Sequence, residues 1–185
     1  MQPDSYYVPQ AQVGRAAPSF DLPSTKNLQT LAENVNLGDY AGRWLVLVFY
    51  PLDFTFVCPT ELRGFSDRYE DFRKEGADVL GISVDSVFTH RAWINASRDA
   101  GGLGEIRYPL ASDITHRVSQ EYGVFLEEKG HSLRGTFIID PVGVLRMSLV
   151  NDLDVGRSVE ETLRTVQLSR REHFARWGGS PDKPR

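Results

Sequence analysis

The sequence predicts an α/β protein in which a mixed central β-sheet is flanked by helices. Residues 44–50 form a continuous apolar run that ends at Pro51, which is typical of a central strand buried on both faces. A second apolar segment, residues 77–84, follows at the distance expected for a strand, a helix and a strand. Two further apolar segments flank the turn sequence 140–143, which predicts an antiparallel hairpin. Parallel strands and a hairpin in one sheet make that sheet mixed.

The first predicted helix lies between the two apolar strands. Its apolar residues recur at steps of three and four, so one face of a single helix should be buried. These residues are Leu62, Phe65, Tyr69 and Phe72. A second helical pattern runs from about Phe88 to Asn95, before a glycine-rich loop at 101–104. A short helix should follow Asp113 and end at Gly123, because glycine suits a left-handed helix cap.

The hairpin and the last helix complete the predicted elements. Segments 136–139 and 144–150 should pair, since Asp140, Pro141 and Gly143 occupy the positions that a type I turn prefers. The last helix should begin at Ser158, which forms a capping box with Glu161 three residues later. Its buried face is predicted at Val159, Leu163 and Val166.

Length and composition predict one soluble domain over residues 1–185, with an N-terminal arm at about 1–14 and a mobile C-terminal tail at about 178–185. The net charge of −4 argues against nucleic-acid binding. No secretory signal and no apolar stretch near the roughly 18 residues of a membrane span are visible. We therefore expect a cytoplasmic protein without a nucleic-acid or membrane partner.

A single cysteine, Cys58, narrows the possible chemistry. It excludes an intrachain disulfide, a cysteine-rich zinc site and an iron–sulfur cluster. The four histidines, at 90, 116, 131 and 173, lack metal-ligand spacing, so we interpret them as surface or core residues. We expect neither a metal nor a cofactor.

Cys58 lies between a predicted buried strand and a predicted amphipathic helix. The free N–H groups and the positive end of the dipole at such a helix start stabilise a thiolate. Pro59 suits the first helical position, and Thr55 lies about one turn before the cysteine, within reach of the same space. The residues alone leave two interpretations open: an activated nucleophile, or a small buried apolar side chain.

Residues 49–61, which include the pattern Pro-x-x-x-Thr-x-x-Cys, resemble the active-site signature of the peroxiredoxin family. The resemblance is closest to the typical two-cysteine subfamily, which includes the alkyl hydroperoxide reductase C component. It extends through segments 83–90, 101–104, 134–140 and 150–158 in the same order and covers roughly residues 15 to 167. The resemblance implies a thioredoxin-like fold and a thiol-dependent peroxidase.

The resemblance also implies a role for each residue that matches the family motifs. Cys58 would attack the peroxide and become a sulfenic acid, Thr55 would hydrogen-bond the peroxide, and Pro51 would close the pocket. Arg134 would stabilise the thiolate and the charge that develops on the oxygens. Finally, Glu61 and Arg157 would hold Arg134 in place.

The sequence departs from the subfamily after the last helix. Typical members carry a resolving cysteine in a Val-Cys-Pro segment there, whereas residues 170–179 of this chain contain no cysteine. We therefore expect a one-cysteine mechanism in which an external thiol reduces the sulfenic acid. That reductant would be a thioredoxin, a glutaredoxin or a small thiol.

Two other functions remain open at this point. One is a peroxide sensor that passes oxidation to a partner protein by thiol exchange. The other is a holdase chaperone, since two-cysteine relatives form large assemblies that bind unfolded clients. For assembly, the resemblance implies a homodimer through the strand at 144–150, with Met147 or Leu149 buried nearby. Residues 86–88 resemble the patch through which such dimers build a decameric ring.

Overall fold

A computed structural model describes residues 10–55 and 58–177 of the chain, without the side chains of Cys58 and residues 173–177. The predicted tail at 178–185 and the first nine residues of the predicted arm lie outside the described residues. The remainder of the arm is hydrogen-bonded to the sheet and to a helix. The N–H groups of Gln10 and Ala11 donate to the Glu121 carbonyl, and that of Gly14 donates to the Leu145 carbonyl.

The described residues form nine strands and five α-helices. The strands are β1 (Asp21–Pro23), β2 (Asn34–Asn36), β3 (Trp44–Phe49), β4 (Ala77–Ser83), β5 (Leu110–Ser112), β6 (Phe125–Leu126), β7 (His131–Ser132), β8 (Arg134–Ile139) and β9 (Leu145–Asn151). The helices are α1 (Cys58–Asp67), α2 (Tyr69–Lys74), α3 (Val87–Asn95), α4 (Arg117–Glu121) and α5 (Val159–Trp177). Short 3-10 helices lie at Leu37–Tyr40 and Arg98–Ala100.

Five strands form the central sheet in the order β5-β4-β3-β8-β9. Strand β3 is central: it pairs in parallel with β4 and antiparallel with β8. Strand β5 adds in parallel beside β4, and β9 adds antiparallel beside β8. The predicted mixed sheet and the predicted hairpin are therefore both confirmed.

Side chains of β3 alternate between two hydrophobic layers, one on each face of the sheet. Trp44, Val46 and Val48 pack in the layer beneath α1, α2, α3 and α5. Leu45, Leu47 and Phe49 pack in the opposite layer, with side chains from β1, β2 and α4. Every residue of β3 is buried, as the continuous apolar run predicted. Burial of each such side chain stabilises the folded state by about 1.5–3 kcal/mol. Strand β3 is therefore a firm support for the loop that follows it.

The prediction of a single helix after Cys58 is wrong, because the chain forms two helices that are separated at Arg68. That residue has φ −98° and ψ 9°, and α2 begins directly after it. Leu62, Phe65 and Phe72 are fully buried as predicted, but Tyr69 is only half-buried. The Tyr69 hydroxyl donates to Asp78 at 3.0 Å, which ties the start of α2 to the start of β4.

Two turn and cap predictions are confirmed by their hydrogen bonds or dihedral angles, and a third is confirmed in part. The Gly143 N–H donates to the Asp140 carbonyl at 2.9 Å, which closes the hairpin turn. Gly123 follows α4 with φ +69°, the left-handed conformation that glycine adopts most readily. The predicted capping box is confirmed in one half: the Ser158 hydroxyl accepts from the Glu161 N–H at 3.1 Å, whereas the Glu161 carboxylate pairs with Arg164.

Four short strands of the described residues lie outside the central sheet. Strands β1 and β2 form one small hairpin, and β6 and β7 form another. Each has only two or three residues, too few for an alternating pattern to be recognised. Among the helices that the structure describes, none combines the length and apolar character that crossing a membrane requires.

Candidate active site

The candidate site begins where β3 ends and α1 starts. Pro51 and Asp53 in this loop are buried, and Thr55 is half-buried. The Thr55 hydroxyl donates to the Leu52 carbonyl at 3.0 Å, so it can still accept a hydrogen bond from a bound molecule. Cys58 is the first residue of α1, a ten-residue helix. Its backbone therefore lies at the end of the helix that carries free N–H groups and partial positive charge.

Three charged residues that are distant in sequence meet one turn further along α1. Nη1 of Arg134 lies 2.7 Å from Oε2 of Glu61, and Nη2 of Arg157 lies 3.0 Å from the same oxygen. All three residues are at least nine-tenths buried. Because Glu61 belongs to the first turn of α1, both guanidinium groups are held beside the start of the helix that carries Cys58.

Further hydrogen bonds fix the two arginines to the backbone. Nε of Arg134 donates to the Leu153 carbonyl at 2.6 Å. Nη1 of Arg157 donates to the carbonyls of Phe49 and Gly135, at 2.7 and 2.9 Å. Phe49 is the last residue of β3 and Gly135 is the second residue of β8, so Arg157 joins the ends of two neighbouring strands.

The electrostatic environment keeps Glu61 ionised. Burial raises the pKa of a carboxyl group, but here the hydrogen bonds and charge of Arg157 outweigh it, and Arg134 adds to their effect. The pKa of Glu61 is consequently lowered from its usual value. The cluster therefore carries one negative and two positive charges, and the excess positive charge lies beside the first turn of α1.

A second contact holds α1 against the glycine-rich loop at 101–104. The guanidinium of Arg63 donates to the carbonyl of Gly102 and, at 3.0 Å, to that of Leu103. The loop is itself closely packed, because a Cβ atom at Gly102 would lie 2.0 Å from the Ala96 carbonyl oxygen. The position of α1 is thus fixed on two sides, by Glu61 and by Arg63.

Sequence reasoning missed a buried polar cluster beneath the loop. Asp53 binds the ring of His90 and the hydroxyl of Tyr50, and its N–H donates to the Asp85 carboxylate at 2.9 Å. The sequence predicts only a surface or core histidine at position 90, and His90 is fully buried. Asp53 and His90 are 37 positions apart and lie on different elements, so no local pattern in the sequence connects them.

The structure brings three of the six predicted site residues into direct contact and places two more in the loop before the same helix. Glu61, Arg134 and Arg157 are in direct contact, whereas Pro51 and Thr55 belong to the loop that leads into the same helix. The sixth, Cys58, is placed by its backbone at the start of α1. Among residues 10–55 and 58–177, no group of three or more His, Cys, Asp or Glu side chains is arranged to hold a metal ion.

Comparison with known proteins identifies the family. Residues 13–148 match the family model described as AhpC/TSA. Peroxiredoxin-2 of Mus musculus is 56% identical over 157 residues, which are 85% of this chain and 78% of the mouse protein. Peroxiredoxin-4 of Homo sapiens is 53% identical over 163 residues, which are 88% of this chain and 59% of that longer protein.

Solved structures give the same result. The reduced 2-Cys peroxiredoxin of Plasmodium vivax has a TM-score of 0.83 and 37% identity, and the match covers 94% of this chain and 89% of that one. AhpC of Enterococcus faecalis has a TM-score of 0.81 and 29% identity, and the match covers 92% of this chain and 98% of that one. The fold is therefore the thioredoxin-like fold of thiol-dependent peroxidases. The chain belongs to the AhpC/TSA family and is a peroxiredoxin, although it contains only one cysteine.

Proposed function

We propose that the chain reduces hydrogen peroxide and organic hydroperoxides with Cys58, and that an external thiol then restores the enzyme. The observation that carries the proposal is the position of Cys58 at the start of α1, one turn from the buried Arg134–Glu61–Arg157 cluster. A helix start and nearby cations both favour the thiolate, which is the nucleophilic form of cysteine. Neither the structure nor the names of the relatives favour the sensor or the holdase.

In the first step the Cys58 thiolate attacks the terminal oxygen of the peroxide. A sulfur–oxygen bond forms, the oxygen–oxygen bond breaks, and the leaving oxygen takes a proton to become water or an alcohol. Thr55 would orient the peroxide, because its hydroxyl can accept from the peroxide proton. Arg134 would stabilise the negative charge that develops on the leaving oxygen. Pro51 is buried and would exclude water from the pocket.

In the second step an external thiol attacks the sulfur of the Cys58 sulfenic acid. This forms a mixed disulfide and water, and a second thiol then releases the reduced enzyme and a disulfide. A single cysteine in 185 residues supports this route, since no second thiol of the chain can resolve the sulfenic acid. Thioredoxin, glutaredoxin with glutathione, and small thiols are the candidate reductants.

Assembly and location follow as part of the same proposal. We expect a cytoplasmic homodimer of single-domain chains. The two chains would pair through β9, which is an edge strand of the five-stranded sheet among the described residues. Phe88, in the segment that resembles the ring-building patch, is 66% exposed. An apolar side chain exposed to this degree is suited to contact a neighbouring dimer in a ring.

The direct test is peroxide consumption by the wild-type chain and by Cys58→Ser, with each candidate reductant in turn. The wild type should turn over with at least one of them. Cys58→Ser should lose all measurable turnover, because an alkoxide forms far less readily than a thiolate. Asp67→Asn, an exposed change at the other end of α1, is the matched control and should retain activity. Substantial turnover in Cys58→Ser would overturn the proposal.

A further inference from the structure

Asp53, in the loop between β3 and α1, forms a completely buried contact with His90 of α3. Nδ1 of His90 lies 2.7 Å from Oδ2 of Asp53, and neither side chain is exposed to solvent. The other carboxylate oxygen, Oδ1, accepts the hydroxyl of Tyr50 at 2.8 Å. Nε2 of His90 lies 3.3 Å from the carbonyl oxygen of Ala111. Each polar atom of the pair therefore has a protein partner.

These partners determine how many protons the pair holds. The Ala111 carbonyl can only accept a hydrogen bond, so Nε2 of His90 must carry a proton. A further proton lies between Nδ1 and Oδ2, bound mainly to one atom or to the other. In either arrangement the pair has no net charge, which is compatible with its complete burial. Removal of one partner would leave the other without its hydrogen bond in an apolar region.

The Asp53 carboxyl is sensitive to this environment. Burial is the largest cause that raises its pKa, and the hydrogen bond from His90 opposes that effect. The Asp85 carboxylate adds a smaller increase, and it also accepts the Asp53 N–H and the Ser83 hydroxyl. Asp53 is consequently joined to three different elements: the end of β3 through Tyr50, the loop after β4 through Asp85, and α3 through His90.

The residue after Asp53 adopts a conformation that side chains disfavour. Phe54 has φ +58°, in the left-handed region where non-glycine residues are uncommon. Phe54 is 51% exposed, and its ring packs on that of Trp93 of α3, with the ring centroids 6.0 Å apart. A strained backbone persists only where the surroundings over-determine it. The anchors at Asp53 and Phe54 supply that restraint, and Thr55 follows immediately.

We propose that Asp53 and His90 are positioning residues for peroxide reduction, because their buried bond fixes the loop that presents Pro51 and Thr55 to the peroxide. The proposal rests on the proposed function, since it concerns the same loop and the same substrate. Neither residue contacts the peroxide. Without the bond, the turn at Phe54 relaxes, Thr55 shifts, and the peroxide loses its alignment with the Cys58 sulfur.

The test compares two reactions of the same thiol. Stopped-flow rates are measured with hydrogen peroxide, which needs alignment, and with iodoacetamide, which needs only an accessible thiolate. A misplacement near 1 Å lowers an aligned reaction by about a hundredfold. Asp53→Ala should therefore slow the peroxide reaction by about a hundredfold and change the alkylation rate by less than about threefold. Global damage would lower both rates together.

Conservative variants provide the rescue. The Asn side chain of Asp53→Asn can accept from Tyr50 and donate to Nδ1 of a neutral His90, so this variant should stay within about tenfold of wild type. His90→Phe should match Asp53→Ala, whereas His90→Asn, whose amide can still donate to Asp53, should recover part of the loss. Asp78→Asn is the control: it changes a buried carboxylate that pairs with Arg43 and Arg73 near the far end of β4. The control should not change the ratio of the two rates.

Several results would overturn the inference. One is an equal rate of reaction with peroxide in Asp53→Ala and wild type. Another is a parallel fall in the rates with peroxide and with iodoacetamide. A third is a peroxide rate in Asp53→Asn as low as that in Asp53→Ala. Circular dichroism checks the fold of each variant, and if Asp53→Ala does not fold, the comparison of His90→Phe with His90→Asn decides. Failure of the wild type to react with peroxide would instead refute the proposed function, so the two failures are distinguishable.

Discussion

Nη1 of Arg134 lies 2.7 Å from Oε2 of Glu61, so a buried carboxylate holds this guanidinium beside the first turn of α1. Arg134→Ala should therefore slow attack on peroxide by at least about a hundredfold, in line with the loss of one well-placed transition-state donor. Alkylation at neutral pH should also slow, because a nearby cation favours the thiolate. Stopped-flow kinetics with peroxide and with iodoacetamide measure both effects.

Two further variants test the geometry of that donor. Arg134→Lys should recover only part of the rate, because a point charge cannot reproduce the planar fork of guanidinium donors. Arg146→Ala removes an arginine of β9 that pairs with Asp140 near the hairpin turn, and it should leave both reactions unchanged. An unaltered alkylation rate in Arg134→Ala would mean that another cation activates Cys58.

The lowered pKa of Glu61 predicts a stability change that depends on pH. A carboxyl group with a depressed pKa in the folded state stabilises the protein above the pKa of the unfolded chain, near 4.3, and this contribution is lost as the pH falls through the folded value. Glu61→Gln should destabilise the chain by about 3–5 kcal/mol at pH 7, since it leaves two buried arginines without their carboxylate. Urea unfolding at pH 7 and at decreasing pH should show the difference between the two proteins shrinking below about pH 4. A difference that is constant with pH would show that Glu61 does not form this ion pair.

Strand β9 predicts how the chain assembles. Strand β9 is an edge strand of the central sheet among the described residues. Two of its apolar residues, Leu149 and Val150, are 43% and 41% exposed. Exposed apolar edges pair readily with another chain, so the wild type should form a dimer or a multiple of one at micromolar concentration. Leu149→Lys would place like charges close together across a two-fold interface and should shift the protein towards monomer. Light scattering measures the mass.

The hairpin turn offers a matched control for that prediction. Val142 is also apolar and 74% exposed, but it lies in the turn rather than on the strand edge. Val142→Lys should therefore leave the assembly unchanged. A monomeric wild type, or equal shifts in the two variants, would contradict pairing through β9.

The absence of a second cysteine predicts a persistent sulfenic acid. A resolving thiol within a protein acts at high effective concentration, and this chain has none. After one equivalent of peroxide, mass spectrometry should show a chain heavier by one oxygen that a sulfenate-specific reagent traps. Excess peroxide without thiol should add a second and a third oxygen, because the sulfenic acid is then oxidised further. If non-reducing gels instead show mostly covalent dimer at one equivalent, Cys58 of two chains resolve each other and the one-cysteine mechanism is wrong.

Most of the sheet could be predicted because its strands are long and completely buried. Residues 44–50 are apolar throughout, and burial on both faces of β3 is the physical reason. Strand β5 has only three residues, so its sequence carries no recognisable period. The break at Arg68 could not be predicted, since the apolar spacing of Phe65, Tyr69 and Phe72 continues across it.

The candidate site divides in the same way. Pro51, Thr55 and Cys58 lie in one short segment between a strand and a helix, so local sequence singles out this loop, although the residues alone leave the role of Cys58 open. Arg134 and Arg157 came only from the resemblance to a family, because nothing near either residue marks it as buried. The contact of Asp53 with His90 could not be predicted at all, since it depends on how α3 packs against the end of β3.

The position of Arg157 limits how this enzyme can change by mutation. The ladder between β3 and β8 ends at the pair Val48 and Thr136, and the next two carbonyls, of Phe49 and Gly135, accept from one guanidinium instead. The same side chain binds Glu61, which holds Arg134. A substitution at 157 would therefore open the end of the sheet and also weaken the hold on Arg134, the proposed activating cation. A substitution at 157 that raised turnover would therefore also lower the stability of the fold. Changes in activity, by evolution or by engineering, should instead arise from substitutions in the surrounding loops.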